Sequence, residues 1–128
     1  MPYAYDPMNI FARILRGEIP CTKVHETTHS LAFRDIRPQA PDHVLVIPKG
    51  AYVTYDDFAL NASEAEILDF TRAVGQVCAM LGVQPGNAGP GYRLIANSGD
   101  HGMQEVPHLH AHILAGRVMG PMLIPAGG

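Results

Sequence analysis

The sequence predicts an α+β fold: a mainly antiparallel five-stranded sheet with one long and one short helix. Three observations lead there. Strand-like apolar runs outnumber helical ones, short turns join them, and a single long stretch of helical periodicity interrupts them. The 128 residues suit one domain spanning 1–128, with a core over about 9–117 and a C-terminal tail over 118–128.

The elements follow in the order helix, three strands, helix, two strands. Asp6-Pro7 ahead of Ile10, Phe11, Ile14 and Leu15 reads as a short helix capped by Asp6 and stopped by Gly17. From Lys23 to Asp35 the pattern shortens to near-alternation, with Thr27-Thr28 as a hairpin turn. Pro38 and Pro41 exclude regular structure from the following segment, and His43 to Ile47 is a buried strand stopped by Pro48-Lys49-Gly50. Ser63-Glu64-Ala65-Glu66 is a capping box, because Ser63 and Glu66 can each satisfy an orphan amide of the other. Ile67, Phe70, Val74, Val77, Cys78 and Leu81 then recur at helical spacing up to Gly82, which defines the long helix and its core-facing side. Tyr92 to Asn97 and His108 to Ala115 are the last two strands, separated by a glycine-containing loop over Ser98 to Met103.

Composition narrows the function. A net charge of −3 gives no basic face for displacing counterions from nucleic acid, although a small phosphorylated ligand needs only a few well-placed donors. The longest aliphatic run, Val44 to Ile47, is far short of a membrane span, and the first residues lack the pattern of a signal peptide. Cys21 and Cys78 form no C-x-x-C pair, which excludes a disulfide framework and a cysteine-rich zinc site. These features predict a cytoplasmic protein with no membrane or nucleic-acid partner and no cofactor.

Histidine is the unusual residue: of seven, three fall within Pro107-His108-Leu109-His110-Ala111-His112-Ile113-Leu114. In an extended chain, alternation puts His108, His110 and His112 on one face, about 7 Å apart, and Leu109, Ala111 and Ile113 on the other. Burying three imidazoles for packing alone would demand three sets of hydrogen-bond partners, so the pattern points to a site. Two chemistries fit. His-x-His is a common metal-ligand spacing, and His43, His101 or Glu105 could add a ligand. Alternatively, a neutral imidazole is a competent nucleophile toward phosphorus, and clustered imidazoles resist simultaneous protonation.

His108-Leu109-His110-Ala111-His112-Ile113-Leu114 matches the signature of the histidine triad family in full. Further segments resemble its nucleotide-binding phosphoramidase branch: Phe11-Ala12-Arg13-Ile14, Gly17-Glu18-Ile19-Pro20, Ala32 to Ile36, Pro38 to His43, Leu45 to Lys49, Gly91 to Leu94 with Asn97, and Ala115-Gly116-Arg117. Together they cover most of residues 9–117. The resemblance implies a histidine-triad fold, and a homodimer whose sheets join, binding a purine nucleoside monophosphate or its phosphoramidate. It implies that His110 attacks the α-phosphorus, that His112 contacts the phosphate, and that His43 and His108 hold the imidazoles in position and protonation state. The resemblance further implies that Asn97 binds near phosphate or ribose, that Asp35 accepts from the ribose hydroxyls, and that Ile10, Phe11, Ile14, Phe33 and Ile36 sandwich the base. Each of these five also fits plain core, and Asp35 also fits a turn former. No Lys or Arg lies in the triad strand, so backbone N–H groups of the Ser98–Val106 loop, including Gln104, Glu105 and Val106, are the expected phosphate donors.

The chain departs from the family pattern at Met103, at Glu105 and in its C-terminal tail, where the tryptophan common in relatives is missing. Leaving-group preference is therefore open. Hydrolysis of purine nucleoside 5′-phosphoramidates through a nucleotidyl-histidine is the first functional reading. The alternatives are dinucleoside polyphosphate hydrolysis, a non-catalytic nucleotide-binding dimer and a metalloenzyme with histidine ligands.

Overall fold

A computed structural model describes residues 3–125; residues 1–2 and 126–128, the ends of the expected domain and tail, lie outside the described residues. Helix α1 (Ile10–Leu15) starts at Asn9, not at Asp6: the Asn9 side chain accepts from the Ala12 N–H at 2.9 Å. Asp6 instead accepts from the Met8 N–H at 2.9 Å, a tight Asx turn just ahead of the cap. Both residues are good caps, and the chain bends one turn later than the Asp-Pro pair suggests. Gly17 does end the helix, at φ +78°, a backbone conformation that disfavours side chains.

Strands β1 (Lys23–Glu26), β2 (Ser30–Arg34) and β3 (Asp42–Pro48) follow as an antiparallel meander. Strands β4 (Arg93–Ala96) and β5 (Ala111–Ala115) complete one sheet in the order β1-β2-β3-β5-β4, with every pairing antiparallel. This is the expected five-stranded sheet. Two helical elements lie outside the pattern the sequence predicts. Helix α2 (Tyr55–Asn61) is capped by Thr54, whose side chain accepts from the Asp57 N–H, and a 3-10 turn spans Pro85–Asn87. Helix α3 (Glu64–Met80) is the expected long helix, and both hydrogen bonds of the Ser63–Glu66 capping box form. Among the described residues no helix is long and apolar enough to cross a membrane.

The sheet divides two packed layers. On one face Ala32, Val44, Val46, Ala111, Ile113 and Ala115 meet Phe70, Ala73, Val77 and Cys78 of α3 and Phe58 of α2. On the other, Leu31, Phe33, Leu45 and Ile47 pack against Phe11 of α1. The register explains the division, because side chains directly opposite in an antiparallel ladder share a face. Val44 lies opposite Ile113 on the α3 side, and Leu45 lies opposite His112 on the α1 side.

Candidate active site

Alternation along residues 108–113 survives, but the strand is shorter than predicted. Only Ala111–Ala115 join the ladder; His108, Leu109 and His110 run ahead of it because the Leu109 N–H bonds the Tyr52 carbonyl at 2.8 Å instead of a neighbouring strand. Leu109, Ala111 and Ile113 still enter the α3-side core. The three imidazoles lie on the α1 side, where the Phe11 ring is edge-on to His110 at 4.9 Å and to His108 at 6.3 Å between centroids. His110 and His112 are 4.9 Å apart and His43 is 5.2 Å from His112.

Hydrogen bonds assign the protons. The His110 Nδ1 lies 2.7 Å from the His108 carbonyl oxygen, which can only accept, so Nδ1 carries the hydrogen and Nε2 keeps a lone pair. The His43 Nδ1 accepts from the Gln39 N–H at 3.1 Å, so its Nε2–H donates to the His112 Nδ1 at 2.9 Å. In the neutral ring, the His112 Nε2 then carries a hydrogen, and that buried atom has no partner among the described residues. His108 donates from Nε2 to the Pro48 carbonyl at 2.8 Å, and its Nδ1 accepts from the Tyr5 hydroxyl at 2.7 Å.

Burial sets the protonation. It pushes His108 down to about 4 against the opposing effect of the Pro48 bond. It pushes His112 down to about 4 as well, helped by the neighbouring His110 and His43 rings. His110 is also lowered by burial, which outweighs the nearby Asp35 and Glu105 carboxylates. His43 is lowered by burial against the pull of Asp35. All four rings are neutral at pH 7, the state a nitrogen nucleophile needs.

A cavity of about 650 Å³ opens beside the rings, a volume typical of small-molecule sites. His110 and His112 line it together with Ile10, Phe11, Ile14, Phe33, Asp35, Ile36, Asn97, Glu105 and Val106. His43 and His108 stand behind, buried and reaching it only through their neighbours. The apolar residues separate by exposure. Phe11 and Phe33 are core, with rings edge-to-face at 5.6 Å, whereas Ile36 is 84% exposed and serves no packing role. Asp35 accepts from the Arg37 N–H at 2.8 Å, capping its own turn, and its Oδ2 sits 3.5 Å from the His43 Nε2.

Gln104 stands apart from the other expected phosphate donors. It does not line the cavity: its N–H bonds the Gly99 carbonyl at 3.0 Å, and its side chain donates to Val53 and Val106 carbonyls while accepting from the Gly99 N–H. It clasps the loop rather than offering a donor. A Cβ on Gly102 would come within 2.6 Å of the Ser98 carbonyl oxygen, so the loop folds tightly on itself. The Glu105 and Val106 N–H groups take no hydrogen-bond partner among the described residues. Sequence reasoning missed Tyr5 behind His108, the Gln39 amide behind His43, and Arg34 and Arg37 at the cavity wall. The arginines flank Asp35 in sequence and were legible there; Tyr5, 103 positions from its partner, was not.

Donor atoms of Asp35, His43 and His112 all lie within 4.8 Å of one another, a spacing that could hold a divalent ion. An ion there would take the His43 and His112 nitrogens out of the bond they now share.

Residues 16–119 match the family model described as the HIT domain. A 13.2 kDa HIT-like protein of Azospirillum brasilense is 61% identical over 96% of this chain and 98% of its own length. The purine nucleoside phosphoramidase of Escherichia coli is 44% identical over 92% of this chain and 95% of its own. Among solved structures, a HIT family hydrolase from Clostridium thermocellum superposes with a TM-score of 0.78 at 37% identity, covering 91% of this chain and 97% of that one. With its triad rings, its sheet order and these relatives in agreement, the chain belongs to the HIT, or histidine triad, family.

Proposed function

We propose that this protein is a purine nucleoside 5′-phosphoramidate hydrolase of the histidine triad type, acting in the cytoplasm through a covalent nucleotidyl-His110. The observation that carries this reading is the bond from His110 Nδ1–H to the His108 carbonyl. It leaves Nε2 as a lone pair on a neutral ring lining the cavity. The similarity to the phosphoramidase of Escherichia coli supplies the substrate class.

In the first step His110 Nε2 bonds to the α-phosphorus, the phosphorus–nitrogen bond to the leaving group breaks, and the released amine takes up a proton from solvent. In the second, water attacks phosphorus, the phosphorus–imidazole bond breaks, the nucleoside monophosphate departs and a proton returns to solvent. The partnerless His112 Nε2–H donates to a phosphate oxygen, and His43 holds that ring from behind. Asn97 and the free N–H groups of Glu105 and Val106 add donors where charge develops. The purine lies against Phe11, Phe33, Ile10, Ile14 and Ile36, and Asp35 accepts from the ribose. β4 is an edge strand carrying exposed Leu94, and through it two copies join their sheets into a dimer.

Incubation with adenosine 5′-phosphoramidate for short times, then intact-mass measurement, tests this. One added adenylyl group on the parent protein and none on His110→Ala is the expected result. Turnover with unlabelled protein and an active His110→Ala variant would overturn it. Light scattering during size exclusion reads the dimer.

A further inference from the structure

We propose that Tyr5 is a positioning residue for the nucleophile: from the segment ahead of α1 it fixes the ring of His108 and, through the His108 carbonyl, the tautomer of His110. The proposal rests on the reading of His110 as nucleophile given above. It starts from the geometry of a buried ring held at both ends. His108 is 0% exposed, so water cannot serve its nitrogens. Its Nε2 faces the Pro48 carbonyl at 2.8 Å, which accepts only, so Nε2 carries the ring hydrogen and Nδ1 is an acceptor. The Tyr5 hydroxyl, 2.7 Å away, is the donor to that nitrogen. The two rings also meet edge-on, with centroids 5.6 Å apart and planes at 69°.

The consequence reaches His110 through the backbone. The carbonyl that receives the His110 Nδ1–H at 2.7 Å belongs to His108, on a stretch outside the sheet ladder. The His108 backbone is tied outside the ladder, by its own N–H to the Val106 carbonyl and by the Leu109 N–H to the Tyr52 carbonyl, both at 2.8 Å, and its ring adds the remaining anchors. Removing the hydroxyl strands a buried acceptor: turning the ring carries the Nε2–H away from the Pro48 oxygen, and changing tautomer sets an Nε2 lone pair against it, so either response breaks that bond. With the ring anchors loosened, the His108 carbonyl is steered only by the neighbouring backbone bonds, its bond to the His110 Nδ1–H weakens, and the His110 proton is free to move to Nε2, which silences the attacking atom. Tyr5 does not line the cavity, so substrate binding does not feel the change.

Tyr5→Phe keeps the ring packing and deletes only the hydroxyl. Its kinetics on adenosine 5′-phosphoramidate are compared with the parent's alongside ¹⁵N correlation spectra of the imidazoles. We expect kcat to fall about three- to tenfold, the equivalent of one neutral hydrogen bond, with KM within about twofold. The His108 Nδ1 resonance moves to that of a lone pair without a donor, and the His110 resonances shift toward a mixture of tautomers. Unchanged kcat, or unchanged His110 resonances, overturns the proposal. Should Tyr5→Phe not fold, the parent's spectrum decides: a His108 Nδ1 resonance typical of an unbonded nitrogen overturns it, and a hydrogen-bonded one supports it. A parent protein that does not turn over the phosphoramidate defeats the functional reading, while the spectra still decide what Tyr5 does to the two rings.

Discussion

On the α3 side of β5, Ala111, Ile113 and Ala115 are buried among carbon atoms and ask nothing of their neighbours but volume. On the cavity side of the same segment, His110 and His112 are held by directional bonds to a carbonyl and to another ring. One side is sealed from water and the other faces the cavity, and they fail differently. An apolar wall degrades in proportion to the atoms removed, whereas the imidazole wall keeps its shape under a substitution that silences it.

The sharpest contrast comes from replacing the proposed nucleophile. His110→Ala is expected to reduce turnover of adenosine 5′-phosphoramidate by at least ~10⁴-fold, with AMP binding within about threefold by calorimetry. If AMP affinity collapses along with turnover, the cavity side is behaving like packing and the comparison fails. Ile113→Ala, on the opposite side of β5, should cost about 2–5 kcal/mol in denaturant unfolding while kcat per folded molecule stays near that of the parent.

Acidification probes the imidazole side alone. His108 and His112 titrate at about 4 in the folded protein against an ordinary 6.5, so the unfolded chain holds up to two more protons between those values. Stability is therefore complete above pH 6.5 and is lost progressively as the pH falls toward 4. Urea midpoints measured across that window should show this uptake, and a flat profile would mean the rings are not desolvated. Because His110 is lowered too, kcat/KM should hold below the ordinary imidazole value before its acid limb begins. The smallest effect lies farthest from the cavity: Ser63→Ala should remove about 1 kcal/mol from thermal unfolding and leave kinetics untouched.

What could be read from the residues alone followed the range over which each interaction acts. The Ser63–Glu66 box and the alternation from His108 to Ile113 are local, and both appear in the fold. Helix α2 was also legible, since Thr54 with Asp57 three positions on is a cap signal, but its seven residues carry too little periodicity to stand out. The helix cap moved from Asp6 to Asn9 because both are competent and the choice lies with tertiary packing. The ladder's late start at Ala111 was not legible at all, because the competing acceptor is the Tyr52 carbonyl from a distant loop. Nor could composition say that Gln104 turns away from the cavity or that Ile36 turns toward it.

That turned-away glutamine has a kinetic meaning. Three hydrogen bonds of one side chain tie Gly99, Val53 and Val106 together beside the site, so this loop is held in place before any ligand arrives. Encounter should then proceed in a single exponential phase whose rate grows linearly with ligand concentration, with no plateau betraying a gate that must swing first.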